Sequence, residues 1–183
     1  MMNERNGYVL AIDCGTQSLR TLVFDRYGNL ISKIKEDFEP YFSTEPGFAE
    51  QDPELYWNTL ILCMDRLASE SPEILSRIEA ITVTTLRGTG VMLDKHGKVV
   101  RPSMIWLDQR EAACEKSLSL RTQMMFRAIG MEQAAAKSRR LCKVNWIKEN
   151  EMELWEKTEH YLLLSGYFHY KLTGRMVDSK SNQ

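Results

Sequence analysis

The sequence predicts an α/β protein whose mixed sheet opens with an antiparallel three-strand meander and carries flanking helices. Three observations predict it. Residues 8–12 and 19–24 are apolar runs rich in β-formers, separated by Asp13-Cys14-Gly15-Thr16-Gln17-Ser18, which is the pattern of a hairpin. Residues 30–38 alternate after the turn Tyr27-Gly28-Asn29 and supply a third strand. A helix start then follows at Asp52-Pro53-Glu54, with Asp52 as N-cap and Pro53 at the first helical position.

The remaining elements follow from local punctuation. Residues 39–51 hold Pro40, Pro46 and Gly47 among aromatics and read as an ordered loop. The helix from Asp52 extends to about Ser69 on Leu55, Leu62, Met64 and Leu67. Residues 78–84 form a strand that empties into Leu86-Arg87-Gly88-Thr89-Gly90. Residues 91–93 and 99–100 flank a turn at 94–98 and predict a second hairpin. A strand is expected at Met104-Ile105-Trp106, a helix from about Glu111, and helical character to Lys157 with breaks around Gly130 and Ser138. Residues 161–164 read as a short buried strand, and 166–172 as a helix ended by Gly174. Met124-Met125 and Leu162-Leu163 read as core.

Composition narrows the class. The chain has 183 residues, 43% of them apolar, enough for one sizeable core. Its 24 basic and 25 acidic residues give a net charge of −1, so no global attraction to nucleic acid or an anionic membrane is expected. Cys14, Cys63, Cys114 and Cys142 are widely spaced without a Cys-x-x-Cys pair, which predicts reduced thiols and a cytoplasmic location. His96, His160 and His169 show no metal-ligand spacing. No apolar run approaches the roughly 20 residues of a membrane span, and the N-terminus lacks a signal-peptide core.

The turn between the first two strands carries the chemistry. Gly15 can take a positive φ and has no side chain, so the backbone N–H groups of Thr16, Gln17 and Ser18 can approach a polyanion. The hydroxyls of Thr16 and Ser18 add donors, and Arg20 adds charge. Asp13, at the strand end, would repel phosphate by itself, so its useful role is to hold Mg²⁺ directly or through water. An ordinary glycine turn with an incidental aspartate fits the same residues.

Four segments in order resemble the FGGY carbohydrate kinases: residues 11–20 (Ala-Ile-Asp-Cys-Gly-Thr-Gln-Ser-Leu-Arg), 46–53 (Pro-Gly-Phe-Ala-Glu-Gln-Asp-Pro), 106–110 (Trp-Leu-Asp-Gln-Arg) and 171–174 (Lys-Leu-Thr-Gly). The resemblance runs across nearly the whole chain. It implies a ribonuclease H-like, actin-like ATPase fold, ATP-dependent phosphorylation of a sugar or polyol hydroxyl, and ATP with Mg²⁺ as cofactors. Residues 1–183 then correspond to the N-terminal domain, incomplete at its C-terminal end. The second domain, with the adenosine pocket and the general base, lies outside this chain, so no catalytic residue is assigned.

By the same resemblance Asp13, Gly15, Thr16, Gln17, Ser18 and Arg20 face ATP and its metal, with Asp13 the metal ligand. Arg87, Gly88, Trp106 and Asp108 face the acceptor. Arg87 matches an arginine that contacts glycerol in glycerol kinases, and a guanidinium can donate to two neighbouring hydroxyls. The Trp106 ring can pack on a sugar C–H face, or serve as core at a strand end. The Asp108 carboxylate can accept from hydroxyls, or cap the following helix. Two departures separate the chain from named members. Gly88 stands where glycerol kinases have glutamate, and Arg87-Gly88 where xylulokinases have Met-His. Glycerol and xylulose are therefore not the expected acceptors, and the missing side chain at Gly88 leaves room for a larger one. Other readings are a non-catalytic sugar-binding or regulatory module of the same fold, and another actin-like ATPase. A cleft wall without its second domain predicts self-association, a homodimer included.

Overall fold

The computed structural model describes residues 7–114 and 117–178. In chain order the elements are β1 (Tyr8–Cys14), β2 (Ser18–Phe24), β3 (Leu30–Asp37), β4 (Glu50–Gln51), α1 (Pro53–Glu70), α2 (Pro72–Leu75) and β5 (Ile78–Thr84). There follow β6 (Gly90–Leu93), β7 (Ser103–Met104), α3 (Leu120–Ala128), α4 (Glu132–Leu141), α5 (Lys143–Asn150), α6 (Met152–Glu156), β8 (His160–Leu163) and α7 (Leu164–Thr173).

The main sheet has the order β3-β2-β1-β5. The first three strands form the expected meander, and β5 lies parallel to β1. A parallel neighbour requires a crossover, supplied by α1 and α2. Asp52 caps α1 by accepting from the Glu54 N–H at 2.9 Å. The face of α1 that carries Tyr56, Leu60, Cys63 and Leu67 repeats at helical spacing and is buried. It packs on β2 and β3, and Leu10 and Ile12 of β1, Leu19 and Val23 of β2 and Ile34 of β3 complete the core. Each such side chain contributes about 1.5–3 kcal/mol by leaving water, so this interface dominates the stability of the N-terminal half.

Several expectations are corrected by long-range pairing. β6 pairs antiparallel with β8, while Val99 makes only a single bridge to Leu93. All four residues of β6 are buried, and Gly90 accommodates the Tyr161 ring so closely that a Cβ there would lie 1.9 Å from the phenol oxygen. The strand expected at 104–106 stops at Met104, and Trp106 sits on a turn closed by the Asp108 N–H donating to the Ile105 carbonyl at 3.1 Å.

No helix begins at Glu111. The Ala113 and Cys114 N–H groups donate to the Glu149 carboxylate at 2.7 and 2.9 Å, and the Ala112 N–H to the Arg140 carbonyl. These distant acceptors replace the carbonyls of a helical turn. The break at Gly130 occurs, with φ +68°. The break expected near Ser138 falls at Cys142, because α4 runs on to Leu141. Neither α3 nor α4 has a buried residue, and Met124 and Met125 are exposed rather than core, whereas Leu162 is buried. α7 ends as expected at Gly174, in the left-handed conformation. All four cysteines are free thiols, and among the described residues no helix is long and apolar enough to cross a membrane.

Candidate functional site

β1 and β5 are adjacent and parallel, with Asp13 in register with Thr84. The loops after them, 15–17 and 85–89, therefore emerge side by side at the same end of the sheet. Such strand ends are where open α/β sheets hold ligands.

The first loop is closed by the Gly15 N–H donating to the Ser18 carbonyl at 2.9 Å. Gly15 is not in a positive-φ conformation. Its lack of a side chain serves close approach, since a Cβ would lie 3.3 Å from the Ser18 carbonyl oxygen. Thr16 is partly exposed and Gln17 exposed, whereas Ser18 is buried at the start of β2. The open polar surface of the loop therefore belongs to Thr16 and Gln17. Asp13 and Arg20 face each other across β1 and β2 and form an ion pair at 2.8 Å, their side chains 37% and 41% exposed. Burial, with the Asp13 charge adding to it, pushes the Cys14 thiol up to about 12, so that thiol stays protonated and inert.

The second loop presents Arg87 and Gly88. Gly88 has φ +69°, and an added Cβ would meet nothing within 4 Å. The glycine is required by the backbone, and the space beside it is open. Residues 83–88 with Leu163 and Ser165 enclose a hollow of about 350 Å³. A neighbouring hollow of about 560 Å³ shares Gly88 and Leu163 and adds Trp106, Cys142, Val144 and Tyr161. Trp106 is 56% exposed, and its indole N–H donates to the Thr16 hydroxyl at 3.1 Å. Thus one hydrogen bond joins the candidate phosphate loop to the candidate acceptor hollow.

Asp108 has a different place from the one expected. Its carboxylate is fully enclosed and accepts from the Ala49 N–H at 2.9 Å and from the Arg110 Nε and Nη2 at 2.9 and 2.6 Å. No helix follows for it to cap, and no oxygen is exposed to a hydroxyl. Burial by itself raises this carboxyl, but the Arg110 and Ala49 hydrogen bonds outweigh it and hold it below the usual carboxylate range. Arg110 also donates to Glu50 at 2.6 Å, and its guanidinium lies 4.0 Å from the Phe48 ring centroid and 4.5 Å from that of Trp146. Arg101 pairs with Glu50 and lies 3.0 Å from Glu151 in an ion pair without hydrogen-bond geometry. Lys143 donates to the Asp108 carbonyl and lies 3.4 Å from its carboxylate.

This cluster binds two of the sequence segments to each other. The Ile105 N–H donates to the Ala49 carbonyl and the Gln109 N–H to the Gly47 carbonyl, at 3.1 and 2.9 Å. Trp106 stands at the apex of the turn so anchored. Sequence reasoning placed Glu50 and Arg110 in separate motifs and missed their partnership. The signal available was the pair of oppositely charged residues inside those motifs. Lys171 of the last segment pairs with Glu54 at 2.9 Å, and the Tyr167 hydroxyl donates to the same carboxylate at 2.7 Å, tying α7 to the start of α1.

Solved structures share this fold. Xylulose kinase from Rhodospirillum rubrum superposes with a TM-score of 0.75 at 22% identity, over 96% of this chain and 36% of its own. Gluconate kinase from Lactobacillus acidophilus gives 0.75 at 19%, over 97% and 35%. The fold is that of the actin-like ATPases in the form used by carbohydrate kinases. Residues 8–183 match the model of the FGGY family of carbohydrate kinases, N-terminal domain, and the chain belongs to that family. Among curated relatives, a glycerol kinase from Thermococcus gammatolerans is 30% identical over 180 residues, covering 96% of this chain and 36% of the relative. A xylulose kinase from Lactococcus lactis is 28% identical over 176 residues, covering 96% and 34%. The chain thus spans about a third of the length of the relatives it matches.

Proposed function

We propose that this chain is the phosphate- and acceptor-binding part of an ATP-dependent kinase that phosphorylates a hydroxyl of a sugar or polyol. The observation that carries the reading is the meeting of the two loops. The Asp13–Arg20 strand ends and Thr16 lie on one side, Arg87 and the Trp106 face on the other, and the Trp106–Thr16 hydrogen bond joins them.

The residues present fit a polyphosphate. Gly15 keeps the loop free of a Cβ, Thr16 and Gln17 offer polar groups at its open surface, and Arg20 supplies a half-exposed guanidinium. Among the described residues no group of three or more His, Cys, Asp or Glu could hold a metal. Asp13 would therefore hold Mg²⁺ as a single carboxylate, leaving the remaining positions to phosphate oxygens and water, a common mode for this ion. The bound ion would supply charge neutralisation at the transferring phosphoryl group.

The chain's own residues orient the acceptor. Arg87 donates to adjacent hydroxyls, Trp106 packs against the C–H face, and the buried Asp108–Arg110–Glu50 cluster holds the Trp106 turn still. Positioning of this kind is the main contribution a protein makes to phosphoryl transfer. The reading places the protein in the cytoplasm, with a small-molecule acceptor, self-association as a homodimer, and no nucleic-acid or membrane partner.

The test is ADP release by the native polypeptide that contains this chain, across ketoses, polyols and sugar acids. Acceptor-dependent release is expected, with glycerol a poor acceptor and Asp13→Asn about 100-fold slower at unchanged fold. Acceptor binding without any ADP release would overturn the kinase reading, and glycerol as best acceptor would overturn the substrate expectation.

A further inference from the structure

Trp106 and Thr16 stand on two stretches of backbone that are pinned independently. The Trp106 turn is closed by the Asp108 N–H donating to the Ile105 carbonyl, and the Ile105 and Gln109 N–H groups tie it to the carbonyls of Ala49 and Gly47. The first loop is closed by the Gly15 N–H donating to the Ser18 carbonyl at 2.9 Å, and its Gln17 carbonyl accepts from the Phe38 N–H at 3.0 Å. What stays free between the two is side-chain rotation. The Trp106 ring is more than half exposed, so packing by itself does not set its angle. Among the described residues its one hydrogen bond goes to the Thr16 hydroxyl at 3.1 Å.

That bond has a direction. An indole N–H only donates, so the Thr16 oxygen accepts and its own proton points elsewhere. Among the described residues this proton has no acceptor. A β-branched side chain has few χ1 wells, and one contact is enough to select among them. The indole therefore holds Thr16 as a free donor turned away from the ring, on a partly exposed surface of the loop. The same ring lines the larger hollow beside Gly88. An acceptor packed on the ring and a phosphate oxygen accepting from Thr16 favour one and the same arrangement of the two side chains. Ordering that arrangement once serves both, so each binding event assists the other to an equal degree.

We infer that Trp106 is a positioning residue for the phosphate side: its indole N–H sets the Thr16 hydroxyl, and through that bond occupancy of the acceptor hollow raises affinity for the nucleotide. The inference rests on the kinase reading above and adds to it a role for Trp106 that packing against an acceptor does not require.

The first readout needs no ligand. In the native polypeptide that contains this chain, labelled with nitrogen-15 at tryptophan, the indole resonance missing from Trp106→Phe identifies Trp106. Thr16→Val is expected to shift that resonance and Thr16→Ser to leave it nearly in place. The second readout is isothermal titration with the non-hydrolysable nucleotide AMP-PNP and Mg²⁺, with and without a saturating amount of the ketose, polyol or sugar acid that gives the fastest ADP release. The unsubstituted protein is expected to bind AMP-PNP about fivefold more tightly when the acceptor is present, the lower end of couplings between sites. Trp106→Phe keeps a ring but has no N–H, and Thr16→Val keeps the shape but has no hydroxyl. In both, the ratio is expected to fall close to one at a melting temperature within a few degrees of the unsubstituted protein, while Thr16→Ser retains it. A ratio at or below one in the unsubstituted protein, or one retained by Trp106→Phe or Thr16→Val, overturns the inference and leaves the kinase reading in place. An indole resonance unmoved by Thr16→Val overturns it as well, by removing the bond. Absence of acceptor-dependent ADP release removes the kinase reading and this inference together.

Discussion

Two aspartate–arginine pairs stand within one hydrogen bond of the candidate site, and they do opposite things. Asp13–Arg20 spans β1 and β2 with both side chains more than a third exposed, while Asp108–Arg110 has side-chain exposures of 0% and 4%. The first pair sits in high dielectric, where a salt bridge contributes little and either partner can exchange it for a ligand. The second has no water to exchange with and is held by Glu50, Ala49, Phe48 and Trp146. Identical residue types thus form an exposed, exchangeable pair in one place and a fixed support in the other, and burial makes the difference.

The largest effect that would separate them is on stability. Arg110→Met removes the cation shared by Asp108 and Glu50 and leaves them only Lys143 and Arg101, and is expected to cost about 3 kcal/mol, the lower end of the penalty for breaking a buried pair. Urea denaturation of the native polypeptide measures it, and a loss below about 1 kcal/mol would show that the pair is not a support.

Acid should act on the same pair next. The folded-state pKa of Asp108 is lowered, so its contribution to stability is complete above the unfolded carboxyl value near 3.9 and is lost as pH falls through the lower folded value. Melting temperature followed from pH 7 downward is expected to gain an Asp108-dependent loss only below about pH 4, and Asp108→Asn should lack that component. A loss centred at pH 5 or higher would contradict the lowered value.

The smallest stability change belongs to Arg20→Ala. It is expected to alter unfolding free energy by less than about 1 kcal/mol while, under the proposed phosphate-facing role, lowering ADP release at least about tenfold. A variant with unchanged turnover would remove Arg20 from the phosphate surface.

The parts legible in the sequence were those whose cause is local. The hairpin around residues 13–18, the Asp52–Pro53 helix start and the Gly174 stop each follow from a few neighbouring residues, because φ preferences, capping and alternation act over one turn. The candidate phosphate loop was legible for the same reason, although Gly15 is needed for close approach rather than for a positive φ. Trp106 was expected on a strand and lies on a turn, and Asp108 was expected at ligand and is enclosed. Both differences arise from Ala49, Glu50 and Lys143, which lie 35 to 59 residues from Asp108 in sequence, a separation no local pattern reports. The segment after Glu111 was misread as helix because Glu149 and Arg140 supply its hydrogen-bond acceptors from another part of the chain.

By itself the sequence determined the meander and the capped crossover helix, since these are fixed by side-chain periodicity and short-range backbone preference, and its four ordered segments carried the resemblance to the family. Tertiary structure decided which strand β6 would pair with, which aspartate would meet solvent, and which residues would line the hollows beside Gly88. Those outcomes depend on desolvation and on hydrogen bonds between distant segments, and both exist only once the chain has closed on itself.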